Sequence, residues 1–581
     1  MAQLRRKSAS SSSKKMNNPI ANAMNRAKHS SFYHDLSLRG KHPLRLLGTP
    51  QDLWPGSVTA GTQIVGQKFI AGGHILENPN HDQDHWPKGE IWFADNLNEK
   101  WQEYLHSFDW LKDLNQAVDR ASAKSRAEEL VETWIEQNTQ WGEISWRADI
   151  VGRRIINWLV YAPLIMDSEE LIYRSRGLDI LARSARHLFL LSSSFPDGPD
   201  GLQAILGLIF SGLYLPDGEK WFKEGLALFK FAIGKEILVD GGLRSRNPHE
   251  LLKIFMNMEI LRTSFIKRDI QPPNELEKAV VRMAGNLRSM IHGDGKLALF
   301  NGAYIQNNED IFSVLLKFNE DELSTDAPRH SLEQSGFCRI ENGETVILQD
   351  VGPPAALELS RACHVGALSF EMSRGTQRMI VNCGDAGFID ETKDQTLFLS
   401  SRSTRAHSTL ILNNYNNSEI RDDGLIGRGI TSITSQRYEE NNHVLLEASH
   451  NGYAEPFGLS HRRLIYVNER GDDIRGEDIL KRTTDEDKIG SLPFDIRFHL
   501  HPSVVCSVGD DETTVLIELG NGEKWIFRTK DVNLALEESD YFGEGGAISQ
   551  SHQIVLSENT QAVQTKVLWS LSLYSMSDKA E

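Results

Sequence analysis

The chain has 581 residues and a formal net charge of −17 at pH 7, with 40% hydrophobic and 25% charged residues. This composition is typical of a soluble globular protein, and the acidic excess excludes a general attraction to nucleic acid or anionic membranes, although a local basic cleft can still bind a polyanion. The length exceeds what one hydrophobic core usually supports, so we expect two large domains.

Residues 1–30 are basic and rich in serine. The twin arginine at Arg5 and Arg6 would suit an export signal only if an apolar segment followed, and none does. We therefore expect a flexible tail and a cytoplasmic protein, with a periplasmic or secreted location left open. Residues 31–94, which include the stretch QIVGQKFIAGGHILE, are expected to form an extension with a short hairpin.

Residues 95–325 have the apolar spacing of helices. The segment SRAEELVETWIEQN places Leu130, Val131, Trp134 and Ile135 on one stripe, and DGLQAILGLIFSGLYL repeats the pattern. Short Gly- and Pro-containing stretches such as LPDG and QPPN separate the segments, as expected at helix ends. The pattern predicts a domain of serial helix pairs, arranged as a toroid or a solenoid.

Residues 330–575 change to short segments rich in β-branched and aromatic residues, such as TVILQD, RRLIYV and TVLIEL, divided by polar turns. They predict an antiparallel β-sandwich, with the domain boundary near residues 321–331. In RACHVGALSFEM, counting by twos from His364 predicts a strand with the imidazole on its apolar face. His364 is then either a core histidine or part of a site wall.

Several motifs resemble the heparinase II/III-like family of polysaccharide lyases and their relatives. They are YLHSFDWL, GRRIINW, HVGALSFEM and STRAHSTLIL, while DGGLRSRNPHELL and HGDGKLALFNGA resemble a bacterial branch of that family. The resemblance implies an α+β multidomain fold: an N-terminal incomplete α/α toroid followed by a C-terminal antiparallel β-sandwich. It also implies that an acidic polysaccharide or oligosaccharide, such as a glycosaminoglycan, lies in the cleft between them.

The chemistry that the resemblance implies is β-elimination at a uronic acid. A base removes the C5 proton, positive or amide groups neutralise the neighbouring carboxylate, and an acid protonates the leaving oxygen. No cofactor is required. From the resemblance and the local residue types, the candidate catalytic residues are Tyr304 or Tyr453 for proton transfer, with Asn247, His364 and His407. The candidate substrate-binding residues are Tyr104, His106, Arg154, Arg246, His249, Asn301, Arg402, Arg405 and His461.

Some of these residues have simpler interpretations. Asn247 precedes Pro248 and can be only the cap of a helix, and the Asn301–Gly302 pair can be only a turn. In some family members the counterparts of His364 and His407 share a divalent metal with an acidic residue, which makes zinc or calcium an option here. The matching residue in this chain is Asn382, a weaker ligand than aspartate.

The chain also departs from the family pattern at three expected catalytic positions. FPDGPDG, with Asp197 and Asp200, stands where active members carry asparagine, Glu250 lies near the place of their tyrosine, and Ala362 replaces a histidine. Two alternatives therefore stand beside the lyase: a glycoside hydrolase that uses Asp197, Asp200 and Glu250, and a glycan-binding protein without catalysis.

Overall fold

The computed structural model describes residues 31–71, 74–76, 86–94, 97–304, 311, 315, 328–388, 395–483, 490–543, 548–561 and 563–574. The predicted tail and most of the predicted boundary at 321–331 lie outside these residues. Among the described helices, none is both long and apolar enough to cross a membrane.

The first half is helical and is organised around one buried helix, α9 (Pro199–Tyr214), which contacts α6 (Ala148–Val160), α8 (Leu171–Leu191), α10 (Glu219–Glu236) and α11 (Pro248–Lys267). Two glycines allow α9 to approach α6 closely, because a Cβ atom on Gly207 would lie only 2.4 Å from the Cα of Gly152. The helices are α1 Ser31–Ser37, α2 Val58–Val65, α3 Glu99–Ser107, α4 Leu111–Leu114, α5 Arg120–Asn138, α6 Ala148–Val160, α7 Ala162–Ile165, α8 Leu171–Leu191, α9 Pro199–Tyr214, α10 Glu219–Glu236, α11 Pro248–Lys267 and α12 Asn274–Ser289. A hairpin of β1 Phe69–Ala71 and β2 His74–Leu76 precedes α3.

The second half is a sandwich of two antiparallel sheets. One has the order β14-β15-β16-β19-β12-β11-β10-β9, and the other has the order β17-β18-β13-β7-β6-β5-β4-β3, with β8 also paired to β13. The strands are β3 Ser331–Leu332, β4 Phe337–Asn342, β5 Thr345–Asp350, β6 Phe370–Arg374, β7 Gln377–Val381, β8 Leu410–Leu412, β9 Ile433–Glu440, β10 His443–His450, β11 Leu459–Val467, β12 Asp473–Arg482, β13 Pro493–Leu500, β14 Val505–Val508, β15 Thr514–Glu518, β16 Lys524–Thr529, β17 Asn533–Tyr541, β18 Ser549–Asn559 and β19 Gln564–Leu573. Two short helices, α13 Gln395–Arg402 and α14 Ala454–Phe457, lie between strands.

Aromatic rings join the two sheets in the sandwich core. Phe370 of β6 stacks on Trp569 of β19 with ring centroids 5.8 Å apart, and Phe498 of β13 meets Phe527 of β16 at 5.0 Å. Burial alternates residue by residue along β11, as a sheet with one face on the core requires. The predicted fold class, an α/α toroid followed by a β-sandwich, is confirmed.

Buried polar contacts fasten the two halves to each other. The carboxylate of Asp240 accepts hydrogen bonds from the backbone N–H of Ser335 at 2.7 Å and of Gln334 at 2.9 Å. Glu371 of β6 accepts from the backbone N–H of Leu299 at 3.1 Å and contacts His292 Nε2 at 3.2 Å. Because these groups are buried and paired, separating the halves would expose unsatisfied partners, so we expect a fixed interdomain geometry.

The strand predicted from His364 is wrong. The strand begins at Phe370, and residues 361–369 form turns and loop. Leu368 has a positive φ of 61°, which turns the chain, and Val365 N–H bonds to the carbonyl of Arg402 instead of to a neighbouring strand. His364 therefore belongs to a loop, and its side-chain direction could not be read from strand alternation.

Acid is expected to destabilise the fold through its buried histidines. Burial lowers the pKa of His106 and His187 to about 3 and that of His407 to about 4, from an ordinary value near 6.5. Between the lowered and the ordinary pKa values, the unfolded chain binds protons that the folded chain does not. The free energy of unfolding is therefore highest above about pH 6.5 and falls as the pH drops towards 4. Melting temperatures measured between pH 7.5 and 4.5 should decline, and His106→Gln should make the decline shallower.

Candidate functional site

Tyr304 lies at the junction of the two halves and contacts residues of both. The hydroxyl of Tyr304 lies 3.3 Å from the ammonium group of Lys253, a residue of α11. The ring of His249, one turn earlier on α11, packs on the tyrosine ring at a centroid distance of 4.1 Å, and Phe388 of the sandwich meets it edge-on at 5.5 Å. The phenol is thus held in one orientation by rings, with a positive charge beside its oxygen.

Lys100 crosses the cleft from the helical side. Its ammonium group forms an ion pair with Asp385 of the sandwich and lies 5.4 Å from the centroid of the Tyr304 ring. Beside it, the Asn98 side chain caps α3 and donates a hydrogen bond to the carbonyl of Gly387 at 3.1 Å. Lys100 and Lys253 therefore place two cations around one phenol.

The helical wall beside Tyr304 carries further charged groups. Burial opposes ionisation of Asp109, but Arg153, Lys253 and Lys112 outweigh it and hold the pKa of that carboxyl to about 2. The Asn157 amide also donates to Asp109 at 2.9 Å. This part of the wall is therefore a fixed set of ions that keeps its charge at neutral pH.

Carboxylates collect elsewhere along the same wall. Asp200 is exposed to solvent but has many protein atoms around it, and the resulting desolvation, followed by the charges of Asp149 and Glu250, raises the pKa of its carboxyl to about 7. Burial also raises the pKa of Glu250, which accepts a hydrogen bond from the Ser245 hydroxyl at 2.6 Å. Asp197, by contrast, is half exposed and paired with Lys235 at 2.5 Å. Asp200 is the cleft carboxyl able to carry a proton at neutral pH.

Tyr104 of α3 is the second tyrosine near Tyr304. Burial, followed by the charges of Asp113, Asp109 and Tyr304, raises its pKa well above the ordinary value. Its hydroxyl is buried and has no hydrogen-bond partner among the residues that the structure describes. Tyr104 is therefore a neutral phenol behind the surface, and a sugar would not reach its hydroxyl in this arrangement.

Arg246, Asn247 and Asn301 lie together at the start of α11, but protein groups occupy them. The Arg246 guanidinium pairs with Asp350 and donates to the carbonyls of Ser335 at 2.8 Å and Pro353 at 2.6 Å. The Asn247 side chain accepts from the backbone N–H of His249 at 2.9 Å as the cap of α11. The Asn301 amide donates to the carbonyl of Arg246 at 3.3 Å. These side chains position the loop and join the two halves.

Asn247→Ala is expected to lower the free energy of unfolding by about 1 kcal/mol, the usual cost of losing a helix cap. Because the side chain caps α11 and does not contact the ligand, turnover at saturating substrate should stay within about twofold of the parent. A change of that size corresponds to well under about 1 kcal/mol in the activation free energy. Thermal unfolding and initial rates measured on the same preparation check this. A large loss of rate with unchanged stability would show that Asn247 contacts substrate.

His364 and His407 form a buried pair on the sandwich side. His407 Nδ1 lies 2.7 Å from the carbonyl oxygen of Ser403 and must donate to it, while burial lowers its pKa to about 4 and keeps the ring neutral. His407 Nε2 therefore accepts from His364 Nδ1 at 3.0 Å. This leaves His364 Nε2 with a lone pair and no hydrogen-bond partner in the described part of the chain. Burial, followed by His407, Arg402 and Lys100, lowers the pKa of His364.

The same contacts argue against the metal site considered for these histidines. The facing nitrogens of His364 and His407 bond to each other, so an ion would have to break that bond. The Asn382 amide donates to Glu371 at 3.1 Å, and its oxygen accepts from the backbone N–H of Ser408 at 3.1 Å. Within the described residues, no cluster of three or more His, Cys, Asp or Glu side chains is arranged to hold a metal ion. The donor set does not fit zinc or calcium.

Two arginines expected at the cleft have other surroundings. Arg402 is buried and donates to the carbonyls of Cys363 at 3.0 Å and Gly424 at 2.8 Å. Arg405 is exposed and donates to the Asn414 side chain at 2.9 Å. Arg402 thus anchors the loop that carries His364, whereas Arg405 stays available to solvent.

Four further candidates lie inside the domain cores. His106 accepts from Trp134 Nε1 at 3.0 Å, and Arg154 lies 4.3 Å from the Trp134 ring, where burial lowers its pKa to about 9. In the sandwich, the Tyr453 hydroxyl donates to the carbonyl of Leu410 at 2.9 Å, and His461 contacts Asp478 at 2.7 Å. None of these four contacts involves Tyr304 or a residue described above as packing against it.

Sequence reasoning did not identify Lys100, Lys253 and Asp385 as site residues. The sequence pattern of a lysine on an amphipathic helix predicts a solvated side chain, and only the fold shows that Lys100 of α3 and Lys253 of α11 both lie at the Tyr304 ring. One signal was available for Lys253, which follows His249 by one helical turn and so shares its face of the helix.

Comparisons with known proteins agree with this architecture. Residues 324–570 match the family model for the heparinase II/III-like C-terminal domain. A curated relative, FtsZ-localized protein C of Caulobacter vibrioides, is 25% identical over 562 residues, covering 93% of this chain and 92% of its own.

The solved structures that resemble this chain include heparinase III and two enzymes named as lyases. A crystal structure of heparinase III aligns with a TM-score of 0.71 at 14% identity, covering 96% of this chain and 92% of its own. Heparan sulfate lyase HepC from Pedobacter heparinus aligns at 0.57 and 16% identity, with 96% and 88% covered. Chondroitin AC lyase from Streptomyces coelicolor A3, in complex with chondroitin sulphate, aligns at 0.50 and 9%, with 82% and 75% covered. At these identities the likeness shows the fold alone.

Proposed function

Since residues 324–570 match the heparinase II/III-like C-terminal domain, we propose that this chain is a polysaccharide lyase that cleaves a uronic-acid-containing polysaccharide by β-elimination at the junction around Tyr304. The observation that carries the proposal is the Tyr304 hydroxyl held 3.3 Å from the Lys253 ammonium group. Uronate chemistry needs a proton-transfer group beside a positive charge, and this pair supplies both.

Each residue at the centre of the cleft has a role in this proposal. Tyr304 acts as a phenolate whose negative charge the Lys253 ammonium group stabilises. It takes the C5 proton, the electron pair of that C–H bond forms the C4–C5 double bond as the C4–O bond breaks, and the phenol then gives the proton to the leaving oxygen. Lys253 also neutralises the sugar carboxylate. Lys100, held by Asp385, adds a second positive charge on the sandwich side.

A second candidate, glycoside hydrolysis, is favoured by the raised pKa of Asp200. A carboxyl with a pKa of about 7 can act as the general acid, and the neighbouring Glu250 or Asp149 would serve as base or nucleophile. Hydrolysis adds water and leaves no double bond in the product, so the two reactions are chemically distinguishable.

The deciding experiment incubates the protein with a panel of uronic-acid polymers, sulfated and unsulfated. Elimination produces a 4,5-unsaturated uronate, which absorbs in the ultraviolet, together with a new reducing end. A new reducing end without the absorbance supports hydrolysis and overturns the lyase. Saturable binding with neither product, across the panel, supports a glycan-binding protein instead.

A further inference from the structure

A pocket with a volume of about 770 Å³ opens on the helical half, where residues 37–45 cross helices α8 and α10. It shares none of its lining residues with the cleft around Tyr304. Its volume lies within the range of about 300–1,000 Å³ that is usual for small-molecule sites.

The pocket is strongly basic in a protein with a net charge of −17. Asp217 is the single acidic residue in its lining, and it pairs with Lys41 at 2.9 Å. The guanidinium of Arg186 donates to the backbone carbonyl of Leu38 at 2.8 Å. This uncharged carbonyl orients the guanidinium without neutralising its positive charge. The basic side chains of the lining are Arg39, Lys41, His42, Arg45, Arg186 and Lys220.

Several of these cations lack an anionic partner. In the part of the chain that the structure describes, no carboxylate lies within ion-pair distance of Arg39, Arg45 or Lys220. Arg39, Arg45 and Lys220 are all exposed to solvent at the pocket. Converging positive charges of this kind raise the local concentration of anions and suit oxygen-rich groups.

Aromatic and aliphatic groups form the rest of the wall. The Lys220 ammonium group lies 5.3 Å from the ring centroid of Phe189 and 5.6 Å from that of Trp221. Leu190 lines the same wall and is 55% exposed. The pocket thus offers an apolar surface directly beside its cations.

We propose that this pocket binds a small phosphorylated ligand that carries an aromatic group. Arg39, Arg45 and Lys220 bind the phosphate, and the ring packs against Phe189 and Trp221. A phosphate suits this arrangement better than a single carboxylate, because it carries up to two negative charges and accepts the paired N–H groups of arginine.

The test is a calorimetric titration of the full-length protein with 1-naphthyl phosphate as the probe. Inorganic phosphate and 1-naphthol are titrated separately, because each represents one part of the probe. We expect 1-naphthyl phosphate to bind at least tenfold more tightly than either half. Arg45→Gln combined with Lys220→Gln should weaken it at least tenfold. Lys223→Gln, an exposed lysine on the same helix outside the pocket lining, should leave binding unchanged.

Three results would overturn the proposal: no binding of 1-naphthyl phosphate at millimolar concentration, equal weakening by Lys223→Gln, or equal affinity for 1-naphthol. Vesicles containing phosphatidylglycerol separate a lipid headgroup from a soluble phosphate. Co-flotation with vesicles that depends on Arg45 and Lys220, without binding of the soluble probe, assigns the pocket to a membrane surface and overturns the small-molecule site. Probe binding without co-flotation supports it.

Discussion

Tyr304→Phe is expected to lower the rate of uronate elimination by a factor of about 10² to 10⁴, the contribution usual for a general acid–base group. The substitution removes only the hydroxyl beside Lys253 and keeps the ring contacts with His249 and Phe388. Folding and glycan binding should therefore change little. Initial rates from the ultraviolet absorbance of the unsaturated product, with melting temperature measured in parallel, test the prediction.

Tyr453→Phe is the matched control. It removes the other tyrosine hydroxyl considered for proton transfer, but this one is buried in the sandwich and bonds to the carbonyl of Leu410. We expect a loss of about 1 kcal/mol in stability and an unchanged rate. If Tyr304→Phe keeps full activity, or if Tyr453→Phe is the variant that loses it, the assignment of the proton-transfer residue is wrong.

Asp478→Asn is expected to lower the stability of the sandwich by about 3–5 kcal/mol, because it leaves a buried cation without its counter-ion. Asp478 accepts from Arg463 Nε at 2.8 Å, from His461 Nε2 at 2.7 Å and from Trp569 Nε1 at 2.9 Å. Burial opposes its ionisation, but Arg463 and His461 outweigh that effect and keep the pKa of Asp478 low. Denaturant unfolding followed by tryptophan fluorescence measures the loss.

The same strand supplies a comparison for Asp478. Asp473 of β12 pairs with Arg475, whose side chain is 68% exposed, and such surface pairs contribute about 0–1 kcal/mol. Asp473→Asn should therefore leave the unfolding midpoint nearly unchanged. Similar losses for both variants would contradict the view that Asp478 owes its effect to burial of Arg463.

The fold class was predicted from local sequence patterns, and the structure confirms it. Helical spacing in segments such as 126–138 and alternation in RRLIYV report which face of an element is buried, and a core imposes that requirement wherever the element lies. His364 marks the limit of this reasoning. Its strand was predicted from alternation over residues 364–372, and a positive φ at Leu368 overrode the pattern.

The candidate site was harder to predict because many polar residues suit both ligand binding and structure. Arg246 and Arg402 had the right chemistry for a carboxylate, yet backbone carbonyls and Asp350 occupy them. Which partner an arginine finds depends on loops distant in sequence, here residues 335–353 and 360–363. Lys253 and Lys100 had no distinguishing local pattern, and only the packing of α3 and α11 around Tyr304 brings them together.

The buried fastenings between the toroid and the sandwich have a consequence for which polymers the cleft can admit. With Asp240 bonded to residues 334–335 and Glu371 bonded to Leu299, we expect the toroid and the sandwich to keep a constant separation. Under the proposed lyase activity, the thickness and branching of a polymer would then decide whether it is accepted, because the enzyme would not reshape itself around each substrate.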